Sequence, residues 1–187
     1  MSTEPHNRRP APLSVVDDRG MPRRSDKPWV LKRPGALLRR LVDRHSLAGP
    51  ALLFVLLDLE ERLIDSVRWR APEPTPTDDS CWMLIEEPIQ AALRLAPKDV
   101  WVPQHTLAMV RCRDGEPAWQ WDDGYWTKAH LAITGNMGAF GYGRAFCGDF
   151  LVVTTDLRWV AFGGRRTGRL RLPAAEVIDL SARRPGS

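Results

Sequence analysis

Apolar and polar positions are patterned most plainly in Ala51–Arg70, ALLFVLLDLEERLIDSVRWR. Ala51–Leu57 is apolar at every position and ends in Asp58. Because side chains alternate across a strand, such a run predicts a strand covered on both faces. A charged turn, Glu60–Glu61–Arg62, leads to a second run, Leu63–Trp69. There Leu63, Val67 and Trp69 fall on one face and Ser66 and Arg68 on the other, the pattern of a half-exposed strand. The two runs predict a hairpin feeding the centre of a covered sheet. Upstream, Ala36, Leu37, Leu38, Leu41 and Val42 predict a helix that starts near Pro34, which suits a first turn, and runs to about His45. The Gly49–Pro50 pair stops it before the hairpin.

Residues 71–79, APEPTPTDD, form a proline-rich loop. Behind a cap at Asp79 or Ser80, the residues Trp82, Ile85, Ile89, Ala92, Leu93 and Ala96 recur at helical spacing, and Pro88 is expected to kink or divide that helix. Thr106–Arg113 predicts a strand. The loop DGEPAWQWDDGYW leads into a helix from about Tyr125 to Ile133, and a glycine-rich passage covers Gly135–Gly148. Phe150–Thr155 and the short Arg158–Phe162 predict two more strands, and Ala174–Leu180 a brief helix or strand. The expected fold class is therefore α/β (α+β), a mixed central sheet with a leading β-hairpin and flanking helices.

Composition adds bounds. At 187 residues with 43% apolar positions, the chain can build one core, while 16 prolines and 14 glycines imply many loops. The expected division is a disordered basic arm over 1–33, one domain over 34–163 and a basic tail over 164–187. No segment reaches the roughly 20 apolar residues needed to span a bilayer, so no membrane partner is expected. The N-terminus is polar and lacks the apolar stretch of a secretory leader. Cys81, Cys112 and Cys147 are odd in number and without CxxC spacing, which argues for a reduced cytosol and against a disulfide framework or a structural zinc. The net charge of +4 conceals segregation. Residues 1–34 carry eight cations against four acids, and residues 165–187 six against two, which leaves the body at −4.

The order of elements carries a resemblance. FVLLDLEERLI matches a hairpin of the form hhhhLD-x-x-x-R-hh, a helix with Ala92–Leu93 follows, a strand leads to a loop and helix, and DFLVVTTDLRWVAF closes with a strand pair. Over roughly residues 34–163 this resembles the JAB/MPN domain, particularly its RadC-like branch. In active members of that family a His-x-His-Pro motif leaves the third strand, and a Ser and an Asp follow. Those residues bind zinc and its water, and an upstream Glu is the general base. This chain departs from the pattern, reading Arg111–Cys112–Arg113–Asp114–Gly115–Glu116–Pro117 at the corresponding place. A guanidinium is always protonated and has no lone pair for a metal. Asp122 or Asp123 would match the family's Asp. The resemblance thus implies a JAB-like scaffold with a degenerate centre at Arg111, Arg113, Asp114, Asp122 and Asp123, holding no catalytic residue, metal or cofactor.

Other candidate chemistry is thin. His6, His45, His105 and His130 show no HExxH spacing and suit surface or capping roles. Gly135, Gly138, Gly141, Gly143 and Gly148 stand after a helix and before a strand, the reverse of a dinucleotide loop, so they read as a flexible or close-packed loop. Cys112 and Cys147 lack an evident base and suit small core positions. The acidic loop of Asp114, Glu116, Asp122 and Asp123 is most simply a solvated turn. Trp119, Trp121, Tyr125 and Trp126 crowd eight residues, and amphipathic rings of this kind anchor protein partners, unless two or three of them cap the sheet. Arg8, Arg9, Arg23, Arg24, Arg165, Arg166, Arg169 and Arg171 form the electrostatic footprint a nucleic-acid partner would use, unless they merely solubilise the ends.

The function expected is a non-catalytic, cytoplasmic, bacterial binding or adaptor protein. Its protein partner would meet Asp114–Trp126, and its basic ends would steer it to an anionic partner. Two alternatives stand beside it: a metal-dependent hydrolase using Asp122, Asp123 and His130, and a simple nucleic-acid-binding protein using the basic ends.

Overall fold

A computed structural model describes residues 29–77, 80–98, 103–135 and 144–171. In chain order the elements are α1 (Pro34–Val42), β1 (Ala51–Asp58), β2 (Leu63–Arg70), α2 (Ser80–Ala92), a 3-10 turn at Leu93–Leu95, β3 (His105–Arg113), α3 (Asp123–Gly135), β4 (Phe146–Thr154), β5 (Arg158–Ala161) and β6 (Arg166–Arg169). The fold is mixed α+β. Six strands lie in the order β2-β1-β3-β4-β5-β6. Neighbours are antiparallel except β3 and β4, which run parallel. A parallel pair needs a crossover connection, and α3 supplies it.

The sheet separates two apolar layers. Leu52, Phe54 and Leu56 of β1, with Leu107 and Met109 of β3, face Ile85 and Ile89 of α2 and Trp126 and Ala129 of α3. Leu53, Val55 and Leu57, with Ala108 and Val110, face Leu37, Leu38 and Leu41 of α1. Every residue from Ala51 to Leu57 is buried, as its unbroken apolar run requires. Each fully buried Leu or Phe here contributes about 1.5–3 kcal/mol.

Several expectations needed correction. Leu63 packs in the α1 layer while Val67 and Trp69 pack in the other. The pairing of β1 with β2 slips between Leu56 and Leu57, and one extra residue reverses which face the strand presents. α2 runs continuously through Pro88, which is buried, and Cys81 takes the inward place expected of Trp82. Trp82 is 44% exposed. α1 ends at Val42 rather than His45, and α3 begins at Asp123, two residues before the expected start. β4 starts at Phe146, inside what was read as the glycine-rich passage.

The chain ends are also redrawn. Residues 166–169 pair with β5 as the sheet's last strand, so part of the expected tail belongs to the domain. Leu31, assigned to the arm, is buried in the α1 layer. Both segments meet around Trp159. A Cβ added to Gly35 of α1 would lie 3.2 Å from its Cζ2, and one added to Gly168 of β6 only 2.6 Å away. Ala174–Leu180 and most of the glycine-rich passage lie outside the described residues.

Candidate functional site

Alternation along β3 places Arg111 and Arg113 on the same face as Leu107 and Met109, at the strand's C-terminal end. Both are buried. A guanidinium in that position must be paired, and Asp123 in the first turn of α3 and Asp122 just before it supply the partners. Arg111 Nη1 donates to Asp123 Oδ1 at 2.5 Å, and Arg111 Nη2 to Asp122 Oδ2 at 2.5 Å. Arg113 Nη2 reaches Asp123 Oδ2 at 3.3 Å, and the Gln120 backbone N–H donates to that oxygen at 2.7 Å. Thr75, from the proline-rich loop, accepts from Arg111 Nη2 at 3.1 Å and donates to Asp122 Oδ2 at 3.0 Å. Asp123 is fully buried within the first helical turn, where the helix dipole also favours a negative charge.

Arg113 does a second job. Its Nη1 donates to the carbonyls of Asp114 at 3.2 Å and Glu116 at 2.9 Å, and its Nη2 to that of Ala118 at 2.5 Å. One guanidinium therefore holds the loop between β3 and α3 in shape. The Asp114 side chain itself is exposed. Glu116 reaches Arg158 of β5 at 2.9 Å, an exposed pair.

The sequence reading anticipated Arg111, Arg113, Asp122 and Asp123 at one place, and the structure brings these four together. Thr75 and Gln120 were missed, since nothing in the one-dimensional pattern ties the 71–77 loop to β3. The electrostatics suit an ion-pair junction. Burial alone would lower the Arg111 pKa, but hydrogen bonds and attraction from Asp122 and Asp123 outweigh it and raise it. The hydrogen bond from Arg111 holds the Asp122 carboxyl below its usual range, so Asp122 is a weak base at neutral pH.

The hydrolase alternative needed Asp122, Asp123 and His130 together. Both carboxylates are instead engaged by guanidinium groups, whereas His130 is buried against Phe54, with Nδ1 3.6 Å from Cys147 Sγ. Among the described residues no three His, Cys, Asp or Glu side chains are grouped to hold a metal ion. Burial pulls the His130 pKa down to about 4, against a weaker upward pull from the Leu107 backbone. Its Nε2 meets no partner at hydrogen-bonding geometry. Burial also raises the Cys147 thiol, so this pair is neutral on both sides. Cys112 is a core residue whose thiol burial pushes up to about 12. His45 shares a hydrogen bond of 2.7 Å with Ser66.

The aromatic cluster divides. Trp126 is fully buried, edge-on to Trp69 with ring centroids 5.9 Å apart, so it is a core residue and not a contact residue. Trp119 is half exposed and packs edge-on against Phe150 and Phe162. Trp121 is 81% exposed, donating through Nε1 to the Tyr125 hydroxyl at 3.2 Å. A contact surface here thus consists of Trp121 and Tyr125, with Trp119 at its rim.

Of the basic candidates, Arg8, Arg9, Arg23 and Arg24 lie outside the described residues. Arg165, Arg166, Arg169 and Arg171 are exposed in and around β6. Arg166 Nη1 donates to the Lys32 carbonyl, which sets β6 beside the segment entering α1. The sequence reading did not include Arg39, which is exposed on α1 one turn beyond Gly35. No family model, no curated protein and no solved structure matches this chain.

Proposed function

We propose that the protein is a non-catalytic binding or adaptor protein built on a JAB/RadC-like scaffold whose metal centre has been replaced by an ion-pair junction. The observation that carries this reading is the engagement of Asp122 and Asp123 by Arg111 and Arg113. Support for the scaffold comes from the succession of hairpin, helix, strand, helix and strand pair, with β3 ending where the family's metal motif would begin. Arginine contributes no lone pair, and paired carboxylates offer neither a ligand nor a base. What the junction does is fix the loop and the first turn of α3, which present Trp121 and Tyr125, amphipathic rings suited to a protein partner. Metal analysis of protein purified without chelator tests the reading: far less than one metal per chain is expected, and stoichiometric zinc would overturn it.

A second reading, nucleic-acid binding, has its own observation. The two basic segments, distant in sequence, meet where Arg166 donates to the Lys32 carbonyl and where Trp159 packs against both Gly35 and Gly168. Lys32, Arg33 and Arg39 belong to the one, Arg165, Arg166, Arg169 and Arg171 to the other, and the Glu61 carboxylate accepts from the Lys32 and Arg33 N–H groups at that meeting. Among the described residues none of these seven makes an ion pair with a carboxylate. Titrating a fluorescent duplex oligonucleotide over a range of salt separates the readings. Phosphate binding predicts a steep slope of log affinity against log salt, which shrinks by roughly 3 when Arg165, Arg166, Arg169 and Arg171 become Ser. A duplex that does not bind at low salt rules this reading out.

A further inference from the structure

β2 is one edge of the sheet, and it is eight residues long. Among the described residues no second strand pairs with β2 on the side away from β1, where the Ser66 N–H donates instead to Asp65 Oδ1 at 2.8 Å. Edge strands are ordinarily blunted by proline, by charged side chains or by a bulge. β2 has no proline, but it carries Asp65, Arg68 and Arg70 and the slip opposite Leu56–Leu57, so a strand could add only beyond that slip and with charges that match. At its C-terminal end a groove of about 430 Å³ opens between the strand and α2. Trp69, Ala71, Pro50, Pro72 and Leu84 supply its apolar walls, with Arg70 and Glu73 at the rim. Leu84 is 38% exposed there.

The two faces of this edge differ in chemistry. Val67 and Trp69 lie on the α2 side, beside the groove. Ser66, Arg68 and Arg70 alternate onto the α1 side, where Ser66 bonds His45 and Arg68 donates to the carbonyls of Ser46 and Ala48. A strand added to β2 would set its own alternate residues opposite these two rows. Apolar side chains suit the row beside Val67, Trp69 and the groove, and carboxylates suit the row beside Arg68 and Arg70.

We propose that the β2 edge and its groove form a docking site for an extended peptide segment of a partner protein, with alternating apolar and acidic residues, added as a seventh strand. Main-chain hydrogen bonds supply the affinity, and a bulky apolar residue seated between Trp69 and Leu84 fixes the register. This surface is separate from the one at Trp121 and Tyr125 and does not depend on the metal-centre reading.

The probe is the capped heptapeptide Gly-Ser-Val-Glu-Phe-Glu-Gly, with binding followed by isothermal titration calorimetry on the full chain. Saturable binding is expected, weakened at least tenfold by N-methylation of alternate peptide bonds and at least tenfold by Leu84→Asp. The exposed variant Arg70→Glu should weaken the Glu peptide and strengthen its Lys counterpart, a swap that misfolding cannot mimic. Lack of binding at millimolar peptide, or equal binding of the N-methylated peptide, overturns the proposal. So does self-association of the chain, measured by sedimentation, that Leu84→Asp abolishes, because the occupant would then be a second copy.

Discussion

Arg111 and Arg113 are the residues on which the site turns, because both sit in the interior with their charge intact. The desolvation of a buried guanidinium is offset here by carboxylates at 2.5 Å and by carbonyls that the loop brings round to it. Removing one partner leaves the other charge buried and uncompensated, which costs more than the intact pair contributes. Arg111→Met should therefore destabilise the fold by about 3–5 kcal/mol in urea denaturation. An effect under about 1 kcal/mol would mean that Asp123 finds its compensation elsewhere. Nothing comparable attends Trp121, whose exposed ring can be removed with an effect within about 0.5 kcal/mol. Asp149 is a further buried carboxyl group, accepting from the Gly163 N–H at 2.6 Å, and its burial raises its pKa. It ties β4 to the turn between β5 and β6.

At the scale of elements, the closest tolerances lie where glycines let strands and helices meet. Gly148 of β4 sits in the parallel pairing with β3 where the register slips between Leu107 and Met109. A Cβ there would stand 2.6 Å from Thr106 Cγ2 and 2.8 Å from the Leu107 carbonyl oxygen. The backbone cannot yield as a flexible side chain would, so Gly148→Ala should cost about 1–3 kcal/mol, read as a lowered Tm. An unchanged Tm would show that β4 can shift at its bulge. Trp159 plays the matching part on the other layer, filling the space over Gly35 and Gly168. That contact fastens α1 to β6 and so brings together the two basic segments that the chain keeps more than a hundred residues apart.

At the scale of the whole molecule, stability responds to acid through two groups on the α2–α3 side of the sheet. A His130 ring with its pKa near 4 binds its proton less readily folded than unfolded. Its contribution is complete above pH about 6.5 and is lost as the pH falls toward 4, at most about 3 kcal/mol. Asp122, held below its usual range, adds a second loss as the pH falls from about 4 through its folded value. Urea denaturation at successive pH values should show both legs, and His130→Phe should flatten the first. A first leg that survives in His130→Phe would assign it to another group. No helix among the described residues is long and apolar enough to cross a membrane.

The sequence by itself determined the mixed fold, the hairpin, the three helices to within a few residues though not the continuity of α2 through Pro88, and the burial of β1. Those follow from periodicity, which is a local property of the chain. It also marked Arg111, Arg113, Asp122 and Asp123 as one candidate centre, though only through a resemblance in the order of elements. It misplaced Trp126 and Trp82, because spacing shows that a residue can face inward but not which neighbour reaches the space first. It overlooked β6, since RTGR has no apolar period and becomes a strand only by pairing with β5. Tertiary structure alone decided that the two arginines meet the two aspartates, that the basic segments meet at Trp159, and that β2 is left at an edge. Each of those depends on distances between segments remote in the chain, and local patterning carries no information about them.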